Sequence, residues 1–428
     1  MTNNKTIRAI HIALAAAAMP LSSDCAGTTN EPPKTLWNRD TLLGDLCGVR
    51  PRLAEHGISF VPVYTGEVMG ETGGAYDGNR AVYAHNLNLP LDVDLEKLAG
   101  WRGALFHVNA FWIAGRGLTE DTIGDLANVS NINAYRTFRL NELWLEQSFG
   151  ENLSVKAGNI AVDTEFFSSA ASALLINSSF GTFSLIAANL PNSPIYPVAA
   201  PAVRVALHAG KHWTFQAAVF DGDCLAQDVN KNGTDFHLAA GDGALIFSEV
   251  QFTPHPDADD KTLASVFKLG GFLHTKRTQT WAAQFNGETG GGSVNYGIYG
   301  VAEQDLYKRD GKSITAFVRG GGAPGNRSVI GWYVDVGVNF KGFVPGRDND
   351  VAGIAFARST FSRSFSDYTQ ATDGTDEINS EMVIEATYRA QLTPWWMLQP
   401  DLQIILTPGG EKSAAHAVVL GLRTAISF

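Results

Sequence analysis

Residues 228–239, DVNKNGTDFHLA, open like a calcium loop. Asp228, Asn230, Asn232 and Gly233 stand at its first, third, fifth and sixth places. Side-chain oxygens at that spacing suit a hard cation. The twelfth place, where a bidentate Glu would close the loop, is Ala239. A Ca2+ site in this loop is therefore an expectation resting on Asp228, Asn230 and Asn232, and a turn-rich surface loop would use the same residues. No other metal and no organic cofactor is expected. The 10 histidines show no paired ligand spacing on a helix. No nucleophile elbow, phosphate loop or dinucleotide fingerprint occurs, so the sequence reads as a non-enzyme. A formal charge of −11 with no basic run excludes nucleic acid as a partner.

The remaining chemistry lies in charges at alternate positions. Glu142, Glu146, Lys156, Arg204, Glu249, Lys268, Arg319, Asp335, Glu385, Arg389, Asp401 and Arg423 each stand among apolar neighbours at odd spacing. The elements that must position them are strands, because only a period of two sends neighbours to opposite faces. In HAVVLGLRTAISF, Val418, Leu420, Leu422, Thr424, Ile426 and Phe428 share one face, and Arg423 and Ser427 the other. In EMVIEATYRAQL, Met382, Ile384, Ala386 and Tyr388 oppose Glu385, Thr387, Arg389 and Gln391. In WYVDVGVNFK, Trp332, Val334, Val336, Val338 and Phe340 oppose Tyr333, Asp335, Asn339 and Lys341. WMLQPDLQIIL alternates likewise, except that Pro400 on the apolar face requires a local irregularity.

Each run is about 10 residues, the length of a tilted strand that crosses a bilayer. Counting such runs from Ile58 to Phe428 gives about 16, enough to close a barrel around an aqueous lumen. With 18% charged residues and 44 glycines, the composition suits alternating strands better than a soluble domain or a helical membrane protein. The fold class is all-β: a transmembrane antiparallel barrel with a short N-terminal helical segment and inward-folded loops. Short turns at 149–152 and 391–395 belong at the periplasmic end. Longer connections at 115–135, 163–200, 222–243, 285–294 and 362–380 belong at the other.

Lys5 and Arg8 precede the short apolar stretch Ala9 to Ala18, as in a secretory signal. The expected division is a signal peptide at 1–26, an N-terminal periplasmic segment with a short helix at 27–57, and a barrel at 58–428. Cys25, Cys47 and Cys224 are odd in number and lack framework spacing, so they read as unpaired. A Cys25–Cys47 bond stays open if Cys25 survives cleavage.

Several segments resemble the carbohydrate-selective porins (OprB-type) of Gram-negative bacteria. They include LLGDLCGVRPRLAEHGISF (42–60), LAGWRGALFHVNAFWIAGRGL (98–118), RLNELWLEQSF (139–149), TEFFSSAASALLINSSFGTF (164–183), GDGALIFSEVQF (241–252), GVNFKGFVPGRDNDVAGIAF (337–356) and IEATYRAQLTPWWMLQPDLQIILTPGG (384–410). One departure is Leu46-Cys47, where the family carries Trp-Gly.

The resemblance implies a 16-stranded barrel in the outer membrane, narrowed by an inward loop to an eyelet for monosaccharides. On this chain the constricting segment would run from Asp163 through Glu165 and Asn177 to Tyr196. Glu142, Trp144, Lys156 and Arg204 would line the neighbouring wall. Arg139 is out of phase with that face, which places it in a loop or beyond a bulge. The lumen charges are expected to face one another across water and to exchange hydrogen bonds with neutral sugars. Outer-membrane lipid and the barrel assembly machinery are the expected macromolecular partners, and self-association is left open. A general diffusion porin and an outer-membrane β-barrel enzyme are the alternative readings.

Overall fold

The computed structural model describes residues 35–72, 80–190, 192–257 and 262–428. The expected signal peptide and Cys25 lie outside those residues. A short strand β1 (Ile58–Phe60) precedes the longer ones: β2 (Val63–Glu71), β3 (Ala81–Asp94), β4 (Ala104–Gly115), β5 (Thr137–Phe149), β6 (Leu153–Ile160), β7 (Ala200–Ala209), β8 (Trp213–Asp221) and β9 (Ala244–Phe252). They continue as β10 (Ser265–Thr278), β11 (Ser293–Arg309), β12 (Lys312–Gly322), β13 (Ile330–Lys341), β14 (Val351–Phe361), β15 (Ser380–Thr393), β16 (Trp396–Leu406) and β17 (Ala417–Ser427). Each of β2 to β16 pairs with the strand that follows it, and β17 returns to β2 through pairs such as Ile426↔Tyr64 and Leu420↔Gly70. The sheet is a closed antiparallel barrel, as expected, with β1 added beside β3.

Closure leaves two surfaces, and their chemistry is the reverse of a soluble domain's. The outward residues Val203, Val219, Leu269, Ile298, Val334, Val336, Ile354, Leu402 and Leu420 are exposed. Glu67, Asn86, Glu142, Glu249, Arg319, Asp335, Glu385, Asp401 and Arg423 point inward and are buried. The outer wall carries two belts of exposed aromatics. Tyr83, Trp112, Phe138, Tyr296 and Trp332 lie near one end, and Phe149, Trp213, Phe215, Phe267 and Tyr307 near the other. An apolar band between aromatic girdles fits a bilayer.

The register resolves two irregularities of the sequence. Asn109 pairs with Glu142 but Ala110 pairs with Leu140, so Asn141 is an extra residue in β5. This bulge shifts the parity of the strand, and Arg139 joins Glu142 and Trp144 inside, only 1% exposed. Pro400 needs no bulge. It faces outward opposite Leu422. On its other side, Thr387↔Asp401 and Ala390↔Leu398 keep one register across the unpaired Tyr388 and Arg389. The missing proline N–H therefore costs pairing there but not parity.

The segment before the barrel clasps its closing strand. The Leu42 N–H donates to Ser427 O at 2.7 Å and the Phe428 N–H to Pro62 O at 2.9 Å. Arg50 donates to the Phe428 carbonyl at 2.7 Å, and the Trp395 indole to Leu36 O at 2.8 Å. The expected helix forms at Val49–Glu55 despite the departure at Leu46-Cys47, both of which adopt positive φ (52° and 58°). Cys47 is disulfide-bonded, which corrects its reading as unpaired. Cys224 is a free, buried thiol.

Val336 lies outward in the middle of β13. Val336→Arg should lower unfolding free energy by about 2–4 kcal/mol if the site is near the bilayer midplane. Val336→Leu should be nearly neutral. Urea unfolding in liposomes reads both, and equal stability of the two variants would place β13 outside the lipid.

Candidate functional site

The connection between β6 and β7, residues 161–199, leaves the wall and lies inside the barrel. Its apolar side chains drive it there. Phe166, Phe167, Ile176, Phe180, Phe183, Leu185 and Ile186 are all fully buried. They meet an inward wall that is itself apolar over part of β8 to β13: Phe220, Phe247, Phe272, Tyr299, Phe317 and Tyr333 belong to the same cluster. Phe166 approaches Phe247 at 5.3 Å between centroids, and Phe183 stacks on Tyr333 at 5.1 Å. Glycine makes room for this contact. A Cβ at inward-facing Gly353 would stand 2.7 Å from Leu174 Cδ2. The expectation that the lumen charges face one another across water is thus corrected: the loop fills that space, and six neighbouring strands, β8 to β13, hold it through hydrophobic contact.

An irregular peptide buried this way needs partners for its backbone. Wall side chains supply them. Glu142 accepts the Ala161 N–H and the Thr164 hydroxyl, each at 3.0 Å. Glu249 accepts the Phe167 N–H at 2.8 Å and the Tyr299 hydroxyl at 3.0 Å. Glu303 accepts the Ser169 hydroxyl at 2.7 Å and the Ala171 N–H at 3.0 Å. Glu385 takes the Ile176 and Asn177 N–H groups on its two oxygens, at 2.5 and 2.9 Å. Loop carbonyls meet cations and amides. Arg319, paired with Asp335, donates to Phe180 O at 2.6 Å and Gly181 O at 3.1 Å. Lys268 donates to Ser168 O, Asn339 to Ala171 O and Gln399 to Leu174 O, at 2.8–2.9 Å.

A second group sits where β5, β6 and β7 meet the start of the loop. Lys156 bonds Glu165 at 2.6 Å and lies 3.6 Å from Glu146. Arg204 bonds Glu165 and Glu146, both at 2.9 Å, and Ser154 at 2.7 Å. The Trp144 ring is covered from the strands on either side: His107 stacks on it at 4.6 Å, and the Lys156 ammonium lies 3.8 Å from its centroid. His107 in turn meets Asp92 at 2.7 Å.

The ends of the loop are held separately. Asp163 accepts the Tyr196 N–H at 2.9 Å and the Thr182 hydroxyl at 3.2 Å. Burial pushes its carboxyl up to about 6. The Tyr196 amide opposes that shift and the nearby Glu142 carboxylate adds to it. The Tyr196 hydroxyl donates to Ile132 O at 2.9 Å and accepts from Asn86 at 3.1 Å. Arg139 bonds the Tyr135 hydroxyl. The connection 116–136 also enters the lumen. Glu381 accepts the Leu126 and Ala127 N–H groups, and Arg423, bound to Glu67, reaches Asn131 at 2.8 Å.

The structure therefore divides the residues chosen from sequence. Glu146, Lys156, Glu165 and Arg204 form one ion cluster under Trp144. Glu142, Asp163 and Tyr196 seat the ends of the loop. Asn177 lies elsewhere, fully buried, bonding Gln403 at 3.0 Å. Sequence reasoning did not select Glu303, Tyr299, Asn339, Gln399 or Gln403, although strand parity gives each an inward direction. The Asp228–Asn232 loop turns its amides to other uses. Asn230 bonds Asp235 N and O, and Asn232 donates to Phe138 O at 2.7 Å. Between the two inward connections lies a recess of about 130 Å3, lined by Leu126 and Ala127 of one and by Ser178, Ser179, Thr182, Ser184, Ala187 and Ala188 of the other.

The sequence profile of the family described as "Carbohydrate-selective porin, OprB family" matches residues 78–428. The chain is 25% identical to Porin B of Pseudomonas aeruginosa, over 100% of this chain and 99% of that protein. It is 24% identical to a protein described as "Putative porin QuiX" from Acinetobacter baylyi, over 92% and 94% of the two chains. Its fold superposes on the high-pH structure of Pseudomonas putida OprB with a TM-score of 0.84, at 24% identity, over 92% of this chain and 100% of that one.

Two outcomes test the seating of the loop. Glu385→Ala leaves two buried N–H groups without their acceptor, at a cost of about 1–3 kcal/mol each. Exchange of the Ile176 and Asn177 amides should accelerate by roughly ten- to a hundredfold, and the loosened loop should raise conductance. Unchanged exchange would show that the apolar contacts alone hold it. Asp163 titrates from an ordinary value of 3.8 to about 6 in the fold. The folded state therefore prefers the neutral acid. Its contribution is complete below pH of about 4 and is lost as pH rises through about 6. Asp163→Asn keeps an acceptor oxygen and should abolish this slope, read as protease resistance of the 161–199 loop between those pH values. A slope of equal size in the variant would assign the effect to another group.

Proposed function

This chain belongs to the carbohydrate-selective porin, OprB family; it is an outer-membrane carbohydrate porin, and we propose that its solutes are neutral monosaccharides passing by diffusion, with no bond made or broken. The observation that carries this reading is the pairing of the lumen charges. Arg319 holds Asp335, Arg423 holds Glu67, and Lys156 and Arg204 share Glu146 and Glu165. Paired charges cancel at a distance. The acids outside these pairs, Glu142, Glu303, Glu381 and Glu385, turn their oxygens to loop N–H and hydroxyl donors, so the wall offers fixed donors and acceptors more than free charge of one sign. A neutral polyol exchanges water for such groups at small net cost. An ion would gain no comparable attraction.

Arg389 departs from the pairing. It points inward from β15, half-buried, and makes no hydrogen bond or ion pair among the described residues. Its guanidinium donors remain for a solute hydroxyl. Trp144 has both faces covered, so stacking of a sugar ring there would require His107 or Lys156 to move. Delivery by the barrel assembly machinery belongs to the same reading and is supported by the apolar outward face of the closing strand β17, where Leu420 and Leu422 are exposed.

The test is single-channel current in planar bilayers with glucose added stepwise. Block should be partial and in the millimolar range, because a few hydrogen bonds of about 1 kcal/mol each give no tighter binding. Arg389→Ala should raise the half-blocking concentration roughly tenfold, the equivalent of about 1.4 kcal/mol. Current that ignores sugars would make this a general diffusion porin. Hydrolysis of a phospholipid or sugar ester by the purified protein would restore the enzyme reading.

A further inference from the structure

The extracellular rim of β3, β4 and β5 carries a cleft of about 470 Å3 at the edge of the wall, backed by Val82 and Thr122. Arg80, Arg116 and Arg136 line it together with Tyr83, Asp121 and Thr122. Arg116 and Arg136 are exposed. Arg136 is held in place by donation from Nε to Gly115 O at 3.0 Å, which leaves its terminal nitrogens directed away. Arg116 and Arg136 against Asp121 reverse, locally, the sign of a chain whose formal charge is −11.

Position relative to the bilayer gives the cleft its meaning. Thr137 faces inward and is buried, so Arg136 and Phe138 on either side of it face outward. Phe138 pairs with Trp112, and both are more than half exposed. Tyr83 is nearly half exposed beside them. Aromatic rings at that density mark the headgroup level of a barrel. Arg136 thus stands just beyond the aromatic belt, on the lipid side of the wall, and exposed Arg116 stands on the rim, where it also borders a recess with Glu67 and Val129.

We propose that this cleft binds the phosphate of a phosphorylated outer-leaflet lipid. The planar guanidinium matches a phosphate with paired N–H donors. Cationic side chains at the headgroup level recognise anionic lipid. Tyr83, Trp112 and Phe138 below provide an apolar surface for the first part of the acyl chains. A neutral sugar would have no use for the Arg116 and Arg136 cations, and the cleft shares no lining residue with the seated loop.

The experiment uses the full chain in detergent, titrated with bis-phosphorylated lipid A, with the same lipid after removal of both phosphates, and with inorganic phosphate. Native mass spectrometry reads bound lipid and thermal unfolding reads stabilisation. The phosphorylated lipid should bind at least tenfold tighter than its dephosphorylated form, and inorganic phosphate at millimolar concentration should not stabilise the protein. The Arg116→Ala/Arg136→Ala double variant should lose the preference while retaining sugar block of the channel current. Arg116→Glu is the companion variant, because the Arg116 side chain makes no hydrogen bond among the described residues. Equal binding of the two lipids would overturn the proposal, as would a preference that survives in both variants. Stabilisation by inorganic phosphate equal to that by the lipid would reduce the cleft to a general anion pocket and overturn the lipid assignment.

Discussion

A carboxylate on the barrel wall accepting backbone N–H groups from a loop inside the barrel is the interaction on which the rest depends. An irregular peptide has no ladder of its own, and burial without partners would cost each N–H on the order of 1–3 kcal/mol. A carboxylate suits the task because it has two acceptor oxygens and no donor. Glu385 takes two consecutive amides in this way, and Glu249 and Glu303 each combine an amide with a hydroxyl. Carbonyls that point the other way meet Arg319, Lys268 and Asn339. The sign of each wall residue follows from which end of a peptide unit it must satisfy.

That constraint shapes the channel. Acids recruited to hold amides would leave a negative lumen if nothing balanced them. Glu142, Glu303, Glu381 and Glu385 turn their oxygens to loop N–H groups, while the acids without such amides meet cations: Arg204 and Lys156 lie between Glu146 and Glu165, and Arg423 against Glu67. The result is a wall rich in fixed dipoles and poor in free charge of one sign, which favours uncharged hydroxylic solutes. The hydrophobic side of the same loop packs against Phe247, Phe272 and Tyr333. Apolar contact therefore brings the segment inside, and polar contact decides where it stops.

The two faces of the wall impose opposite demands on one strand. Lipid requires Val334 and Val336 outward, while Tyr333 and Asp335 between them hold the loop at Ser179 and through Arg319. A slip of one residue would exchange the faces. The bulge at Asn141 shows that the register is adjustable where function needs it, since it turns Arg139 inside without disturbing Trp144. The N-terminal segment completes the structure by bonding Phe428 and Ser427 at the end of the closing strand.

The sequence by itself determined the barrel, because a period of two over runs of about ten residues has no other membrane-spanning solution. It also determined the long connections and the inward direction of Glu142, Lys156, Glu249, Arg319 and Glu385, since parity is a local property. It could not say what those side chains touch. Glu385 and Ile176 are separated by 209 residues, and Arg319 and Phe180 by 139. The apolar inward stretch at Phe220, Phe247 and Phe317 was equally hidden, because strands apolar on both faces carry no alternating signal. The bulge before Arg139 depends on the partner strand, and the covered faces of Trp144 depend on two. Which inward charges hold the loop, and that Arg389 does not, was decided only when closure of the barrel brought distant strands to one level.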